Sequence, residues 1–117
     1  MKAEELRIGN YVYFNEEIDL VESISHNIIH GKLFSNYEIS EIKPIPLTEE
    51  WLFKMGFNNF LSSKNTYETQ YCFVDFIEKG LCRVCYPGYP KKGIRYVHEL
   101  QNYYYVNSLR FTELIIK

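Results

Sequence analysis

Two cysteines and one histidine have the spacing that begins a zinc finger. Cys82 and Cys85 are separated by two residues, and His98 follows after twelve more. A structural zinc site needs four ligands, and none of positions 101–104, where the second histidine of such a finger falls, is a histidine. Cys72 could supply the fourth ligand from a neighbouring strand. We nevertheless predict that the cysteines pack as small core or sheet residues and that the protein binds no metal or other cofactor.

The other groups that could do chemistry do not form a catalytic pattern. A redox-active Cys-x-x-Cys pair opens a helix, whereas Cys82 and Cys85 lie in a strand pattern that directs them to opposite faces. His98 could act as a general base, but the carboxylate beside it in the sequence would not face it on a helix. The sequence has no phosphate-binding loop, nucleophile elbow or His-Glu-x-x-His motif. We predict that the protein is not an enzyme.

The segment from Tyr86 to Tyr96 combines aromatic and basic side chains. Two prolines and two glycines interrupt it, which predicts a loop at 87–93. Tyrosine and arginine are frequent anchors at protein interfaces. Aromatic rings between basic groups are also typical of proteins that bind single-stranded nucleic acid. We predict that the partner-binding residues are Tyr86, Tyr89, Lys91, Lys92, Arg95 and Tyr96.

The charges of the chain divide unevenly between its two halves. Residues 1–50 hold four Lys/Arg against ten Asp/Glu, whereas residues 51–117 hold nine against five. Such an asymmetry favours charged partners, although it also fits two halves that attract each other. The acidic half could meet a basic protein, and the basic half could meet an acidic protein or a nucleic acid.

A short helix in the middle of the chain has both of its ends encoded locally. Pro44 and Pro46 keep the chain extended, and Thr48 can then accept a hydrogen bond as the N-cap. Gly56 can end the helix in a left-handed conformation. These signals predict a helix at about residues 49–55, held against a core by its tryptophan.

Short alternating segments on both sides of this helix predict an α+β fold. We expect a small SH3-like β-curl before the helix and an antiparallel sheet after it, with a second helix at 96–106 packed on that sheet. The strands are predicted at 11–14, 18–25, 28–30, 32–34, 37–39, 57–61, 67–77, 81–86 and 111–116, with a polar loop at 62–66. The length predicts one compact domain over 1–117, with a β-rich part at 1–43 and an α+β part at 44–117.

Composition excludes several classes of protein. The 46% hydrophobic content is that of a globular chain, and no apolar run approaches the length of a membrane span. The charged start predicts no signal peptide, and an odd count of three cysteines predicts no disulfide framework. We therefore expect a cytoplasmic protein.

Three segments resemble a family of short uncharacterised proteins encoded in bacterial genomes, phages and prophages. They are residues 6–12 (LRIGNYV), residues 44–52 with 55–57 (PIPLTEEWL and MGF) and residues 96–102 (YVHELQN). The similarity spans nearly the whole chain, and the middle motif is specific. Residues 103–106 (YYYV) and the sequence after them depart from the family pattern, because residues 107–110 (NSLR) stand where a turn rich in Gly and Glu usually follows the helix.

The resemblance implies a mobile-element setting and supplies no catalytic residues. Some small phage proteins inhibit host defence machinery, including CRISPR effectors. We therefore expect a protein–protein interaction module that could inhibit a host-defence complex. The sequence leaves two other hypotheses open: an RNA- or single-stranded-DNA-binding protein that uses the Tyr86–Tyr96 segment, and a self-associating protein whose edge strands pair between chains.

Overall fold

The computed structural model describes residues 3–59, 65–69, 72–108 and 112–117. Within these ranges the chain forms two five-stranded antiparallel sheets and two α-helices, so the predicted α+β class is confirmed. No helix among these residues has the length and apolarity that crossing a membrane requires.

The first sheet is formed by the part of the chain that precedes the first α-helix. Its strands are β1 (Tyr11–Phe14), β2 (Glu17–Ser25), β3 (Ile28–Gly31), β4 (Tyr37–Glu38) and β5 (Ile42–Lys43). They lie in the order β4-β3-β2-β1-β5, and each neighbouring pair is antiparallel. Single turns of 3-10 helix lie at Ala3–Glu5 and Ile39–Glu41. The strands predicted at 11–14, 18–25, 28–30 and 37–39 correspond to β1 to β4 within about two residues.

A buried carboxylate shapes the turn that follows β3. Asp19 is 1% exposed, and it accepts hydrogen bonds from the backbone N–H groups of Leu33 (2.8 Å) and Phe34 (3.2 Å) and from the Tyr37 hydroxyl (3.3 Å). Because both amides bind this side chain, they do not join a strand ladder. The strand predicted at 32–34 is therefore wrong, and these residues form a bend.

The second sheet follows the first α-helix. Its strands are β6 (Asn58–Asn59), β7 (Thr66–Thr69), β8 (Cys72–Glu78), β9 (Leu81–Cys85) and β10 (Lys92–Ile94). They lie in the order β10-β9-β8-β7-β6, again with antiparallel pairs. The hairpin partner predicted at 81–86 is confirmed as β9. It turns back from β8 through Gly80, whose φ of 78° favours glycine.

The long strand predicted at 67–77 is wrong, because it is two strands. Thr69 pairs with Cys72, so β7 and β8 run antiparallel to each other, and the connection between them lies outside the described residues. The two connecting positions hold glutamine and tyrosine, which carry no sequence signal for a turn. Alternation of apolar residues on either side therefore reads as one continuous strand.

Predictions on either side of the β6–β7 connection are only partly described. The strand predicted at 57–61 overlaps β6, and its last two residues lie outside the described residues. The polar loop predicted at 62–66 lies largely outside them too. Its last residue, Thr66, begins β7 and is not part of a loop.

Two further predictions near the end of the chain need correction. The loop predicted at 87–93 is shorter, because Lys92 and Gly93 belong to β10 and pair with β9. The strand predicted at 111–116 is wrong: residues 112–117 have no regular structure, and Phe111 lies outside the described residues. This segment is held by individual hydrogen bonds to the rest of the fold, which a strand pattern in the sequence cannot reveal.

The first helix, α1, spans Glu49–Lys54 and has the ends that the sequence predicts. The Thr48 hydroxyl accepts a hydrogen bond from the Trp51 N–H (3.3 Å), which satisfies one of the free donors at the helix start. Beyond the other end, the Phe57 N–H donates to the Leu52 carbonyl (2.9 Å). Trp51 and Leu52 are both buried, so the core holds this short helix in place.

The second helix, α2, spans Val97–Asn107, close to the predicted 96–106. The Glu99 carboxylate accepts hydrogen bonds from the backbone N–H groups of Arg95 (2.8 Å) and Tyr96 (3.1 Å). This carboxylate therefore closes the N-terminal end of the helix.

Two hydrophobic clusters support the two sheets. The larger is shared by the second sheet and both helices, and it includes Leu52, Met55, Val74, Val84 and Leu100. The smaller lies within the first sheet and includes Val12, Val21, Ile29 and Tyr37. Three partly buried side chains of the first sheet pack against the larger cluster: Tyr11, Tyr13 and Ile18. The two parts of the chain therefore meet through apolar contact.

A buried glutamine of α2 joins three separate segments. Gln101 is fully buried, and its Nε2 donates to the carbonyls of Gly9 (3.0 Å) and Leu114 (3.0 Å). Its Oε1 accepts from the Tyr11 N–H (2.9 Å). These hydrogen bonds use both the nitrogen and the oxygen of the amide, and they join the start of β1, α2 and the C-terminal segment.

The neighbouring asparagine extends this polar seam. Asn102 Oδ1 accepts from Arg7 Nε (3.1 Å) and from Asn10 Nδ2 (2.8 Å). The Arg7 guanidinium also pairs with Glu113 (2.6 Å) and lies over the Tyr105 ring, 3.9 Å from its centroid. One arginine thus connects the segment before β1 to both α2 and the C-terminal segment.

The segment that precedes α1 is tied to the start of α2. Pro46 forms an isolated antiparallel bridge with Tyr96. The Leu47 N–H donates to the Arg95 carbonyl (2.9 Å), and the Val97 N–H donates to a carbonyl just before that proline (2.8 Å). The first turn of α2 is therefore held by backbone hydrogen bonds from outside the helix.

We predict that Gln101→Glu strongly destabilises the fold. The substitution keeps the shape of the side chain but replaces the Nε2 donor, and it places an unpaired carboxylate opposite two buried carbonyls. The free energy of unfolding should fall by about 3 kcal/mol or more, measured by urea unfolding. Asn27→Asp, the same chemical change at an exposed turn, should cost little, and an equal loss in both variants would contradict the role of Gln101.

We also predict that Gly31→Ala destabilises the first sheet. A Cβ at this position would overlap the Asp19 carboxylate and lie 2.7 Å from the Tyr37 hydroxyl oxygen, so the buried carboxylate would have to move. The expected cost is about 2–3 kcal/mol in thermal or urea unfolding. Gly93→Ala is the matched control, since its nearest neighbour would be an ordinary contact at 3.7 Å. Similar stability of the two variants would disprove the clash.

Candidate interaction surface

The loop between β9 and β10 is anchored at both of its ends by one tyrosine of α2. The Tyr103 hydroxyl accepts a hydrogen bond from the Tyr86 N–H (3.1 Å) and donates to the Pro90 carbonyl (3.0 Å). Tyr103 is only 7% exposed, so the core fixes the position of its hydroxyl. This loop is therefore held in one arrangement although it lacks regular structure.

Aromatic contacts continue from this anchor to the surface. The Tyr86 ring contacts the rings of Tyr104 (6.3 Å between centroids) and Tyr89 (5.9 Å), both edge to face. Tyr104 is buried and Tyr86 is partly buried, whereas Tyr89 is 49% exposed. Tyr89 is thus the member of this stack that offers apolar area to a partner.

The predicted basic residues lie near the two ends of β10, two of them next to the loop and Arg95 beyond the far end. Lys91, Lys92 and Arg95 are all exposed. Arg95 is the most constrained of them, because its Nη1 donates to the Gly80 carbonyl (3.2 Å). Unlike the three basic residues, Tyr96 is partly buried, and its ring stacks on the His98 ring (5.9 Å between centroids, 9° between planes). Four of the six predicted site residues are therefore exposed, and Tyr86 packs against the ring of one of them, Tyr89.

A polar cleft of about 350 Å³ adjoins the loop. It lies between the N-terminal 3-10 turn, β10 and α2, and six residues line it: Glu4, Glu5, Lys92, His98, Glu99 and Asn102. The two N-terminal glutamates were not predicted to belong to this site. No local signal could have done so, because they are more than eighty residues from α2 in the chain.

His98 is buried in the wall of this cleft. The residue is 2% exposed, and its Nδ1 is the one buried side-chain nitrogen or oxygen of the described chain that lacks a hydrogen-bond partner. Leaving such a group unpaired costs about 1–3 kcal/mol. Burial lowers the pKa of His98 below its usual value, and the charges of Glu99 and Glu5 act in the opposite direction. The ring is therefore neutral at pH 7.

The three cysteines lie in the second sheet. Cys72 and Cys82 are buried and Cys85 is partly buried. Burial raises the pKa of the Cys72 thiol to about 12 and that of Cys82 to about 11, so neither forms a reactive thiolate at neutral pH. Among the residues that the structure describes, no group of three or more His, Cys, Asp or Glu side chains could hold a metal ion.

We predict that His98 makes stability depend on pH. Because its pKa is lower in the folded state, the unfolded chain binds a proton more readily as the pH falls below about 6.5, and that proton favours unfolding. The free energy of unfolding therefore carries no penalty from His98 above pH 7, and it falls as the solution is acidified. Between pH 7.5 and pH 5.5 the wild type should therefore lose more of its free energy of unfolding than His98→Asn does, measured by urea unfolding. His30→Gln, which removes an exposed ring, is the control, and a constant difference for His98→Asn would contradict the prediction.

No protein-family model, curated protein or solved structure matches this chain.

Proposed function

We propose that the protein is a non-enzymatic protein-interaction module that binds its partner through the Tyr86–Tyr96 segment. The observation that carries this proposal is the double hydrogen bond of Tyr103 to the two ends of the loop. A loop that is already ordered loses little conformational entropy on binding, so its exposed groups contribute more of their contact energy to affinity.

The composition of the exposed surface supports a protein partner. Tyr89 offers a half-exposed ring, and the exposed Lys91 follows it in the loop, whereas the exposed Arg95 lies beyond the far end of β10, beside Gly80. Aromatic anchors surrounded by polar and charged groups are typical of protein interfaces. The partner surface that complements this arrangement is acidic, with an apolar site for the tyrosine ring.

The charges around Lys92 favour a protein over a nucleic acid. Lys92 lies in the lining of the cleft together with Glu4, Glu5 and Glu99. Carboxylates beside the loop repel a phosphate backbone and interrupt a continuous cationic track. The Tyr86 ring also contacts other rings on two sides, which leaves less of it available for base stacking. Nucleic-acid binding is therefore the rival outcome of the experiment below.

The family resemblance adds a setting to this proposal. Small proteins encoded by phages and prophages meet host machinery, and a CRISPR-type defence complex is the partner class that this setting suggests. Two observations support a role without catalysis. Burial raises the pKa of the Cys72 and Cys82 thiols, and the Glu99 carboxylate is used as a helix cap.

We predict that Tyr89→Ala combined with Lys91→Glu lowers partner capture at least tenfold. Tagged protein is used to capture partners from host lysate with and without nuclease, and the retained proteins are quantified. The double variant removes the exposed ring and reverses a neighbouring charge, while the buried anchor Tyr103 stays intact. Lys32→Glu, an equal charge reversal in the bend after β3, should retain the partner.

The outcomes of this capture separate the hypotheses. A partner that survives nuclease treatment and is lost only in the loop variant supports the proposal. Unchanged capture by the loop variant would show that this loop is not the binding surface. Retention that disappears with nuclease, and that falls steeply with salt, would favour the nucleic-acid hypothesis instead.

A further inference from the structure

A groove of about 240 Å³ lies between the β1–β2 hairpin and α1. Tyr13 and Ile18 line it from the hairpin, and Pro46 and Trp51 line it from the segment that enters and begins α1. We call it the tryptophan groove. Ile18 also lines a neighbouring hollow of about 260 Å³, and Tyr13 lines another of about 430 Å³. The tryptophan groove is therefore the middle one of three adjoining hollows.

The hairpin contributes one face, and not an edge, to the tryptophan groove. Tyr13 pairs with Ile18, whereas the next pair along the hairpin, Val12 and Asp19, is buried and points to the opposite face. The strand that carries Tyr13 is itself paired on both sides, with β2 and with β5. A peptide in this groove therefore meets side chains and finds no open ladder of backbone groups on β1.

The indole N–H of Trp51 has no hydrogen-bond partner among the residues that the structure describes. The residue is only 5% exposed, and its ring contacts the Tyr11 ring (5.7 Å between centroids) and the Lys54 ammonium (5.0 Å from the centroid). His98 Nδ1 is the one unpaired side-chain atom that is sealed from solvent, so solvent does reach Trp51 Nε1. Because Trp51 lines the groove, its packed ring presents a fixed donor there.

These features specify an occupant with apolar rings and free carbonyl groups. A proline-rich segment supplies both, since its polyproline II form leaves the backbone carbonyls unpaired and its prolines carry no N–H. An ordinary extended peptide would bury N–H groups against a sheet face that has no ladder to pair them. A preformed polyproline II helix also loses little entropy on docking into an aromatic-lined groove.

The charges beside the groove add a second element of recognition. In the adjoining hollow at the β1–β2 turn, Glu16 and Glu41 contribute two carboxylates against the single ammonium of Lys43, and all three residues are exposed. Within the tryptophan groove the charges of Glu50 and Lys54 balance, because the two form an ion pair (3.5 Å). A basic residue next to the prolines therefore complements this surface.

We propose that the tryptophan groove binds a proline-rich segment of a partner protein, with a basic residue of that segment beside Glu16. Trp51 Nε1 donates to a backbone carbonyl of the segment, and Tyr13 and Pro46 pack against its proline rings. This inference goes beyond the proposed function and does not depend on the Tyr86–Tyr96 segment.

The test uses the full chain labelled with ¹⁵N and synthetic peptides. One peptide repeats Pro-Pro-Ala three times and carries an arginine, at its first position in one version and at its last in another. The control peptide has alanine in place of every proline. Trp51 is the one tryptophan of the chain, so a single indole N–H resonance reports on the groove. We expect a saturable downfield shift of this resonance with the proline peptide and at least tenfold weaker binding of the alanine peptide.

Two variants test the donor and the charge by calorimetry with the tighter of the two arginine peptides. Trp51→Phe keeps an aromatic ring but removes the N–H, and it should bind at least fivefold more weakly once its amide spectrum shows that it is folded. Glu16→Lys should weaken binding at least threefold. Glu22→Lys, the same change at an exposed position of β2, should leave binding unchanged.

Several outcomes would overturn the proposal. An indole resonance that does not shift, or equal affinity for the proline and alanine peptides, would remove the proline-rich occupant. Equal affinity of Glu16→Lys and Glu22→Lys would remove the basic residue. A shift that grows with protein concentration in the absence of peptide would show that a second copy of the chain occupies the groove instead.

This experiment and the partner capture can fail separately. Tyr89→Ala with Lys91→Glu changes none of the residues that line the tryptophan groove, so it should bind the proline peptide as the wild type does. Peptide binding without partner capture would refute the loop and keep the groove. Partner capture without peptide binding would keep the proposed function and refute the groove.

Discussion

The buried amide of Gln101 is the constraint on which the arrangement of this fold depends. It satisfies a backbone N–H at the start of β1 and two carbonyls, one before that strand and one in the C-terminal segment. If the amide moved away, these backbone groups would lose this partner, at a cost that is greatest for the buried Leu114 carbonyl. One side chain pairs with all three backbone groups. The first sheet, α2 and the end of the chain therefore have a single relative position in which all three groups are paired.

Residues 6–12, residues 44–52 and residues 96–102 come together in the fold, through the polar seam and through backbone hydrogen bonds. Residues 6–12 supply Arg7 and Asn10 to the seam, and residues 96–102 supply Gln101 and Asn102. The segment that precedes α1 joins the start of α2 through backbone hydrogen bonds. These residues therefore hold the three segments against one another in the fold. Within the motif at 96–102, His98 differs, because its Nδ1 lacks a partner and its ring lines a cleft.

The loop and the cleft both border α2. Tyr103 fixes the loop from one side of the helix, and His98 lines the cleft from its first turn. Lys92 in β10 belongs to both. Positive groups on the loop and carboxylates in the cleft lie side by side, which suits a partner surface with charges of both signs. Such alternation gives specificity more than affinity, since a wrong partner meets like charge.

Local conformational preferences determined the elements that could be predicted from the sequence. Thr48, Gly56 and Gly80 each set a helix end or a turn by conformational preferences that act within a few residues, and so α1 and the β8–β9 hairpin could be predicted. The exposed positions of Lys91 and Arg95 likewise follow from a segment rich in Pro and Gly. Tertiary structure alone decided the rest. The bend at Leu33 depends on Asp19 in another strand, and the cleft depends on Glu4 and Glu5 meeting α2. Those contacts join residues far apart in the chain, and no nearby pattern encodes them.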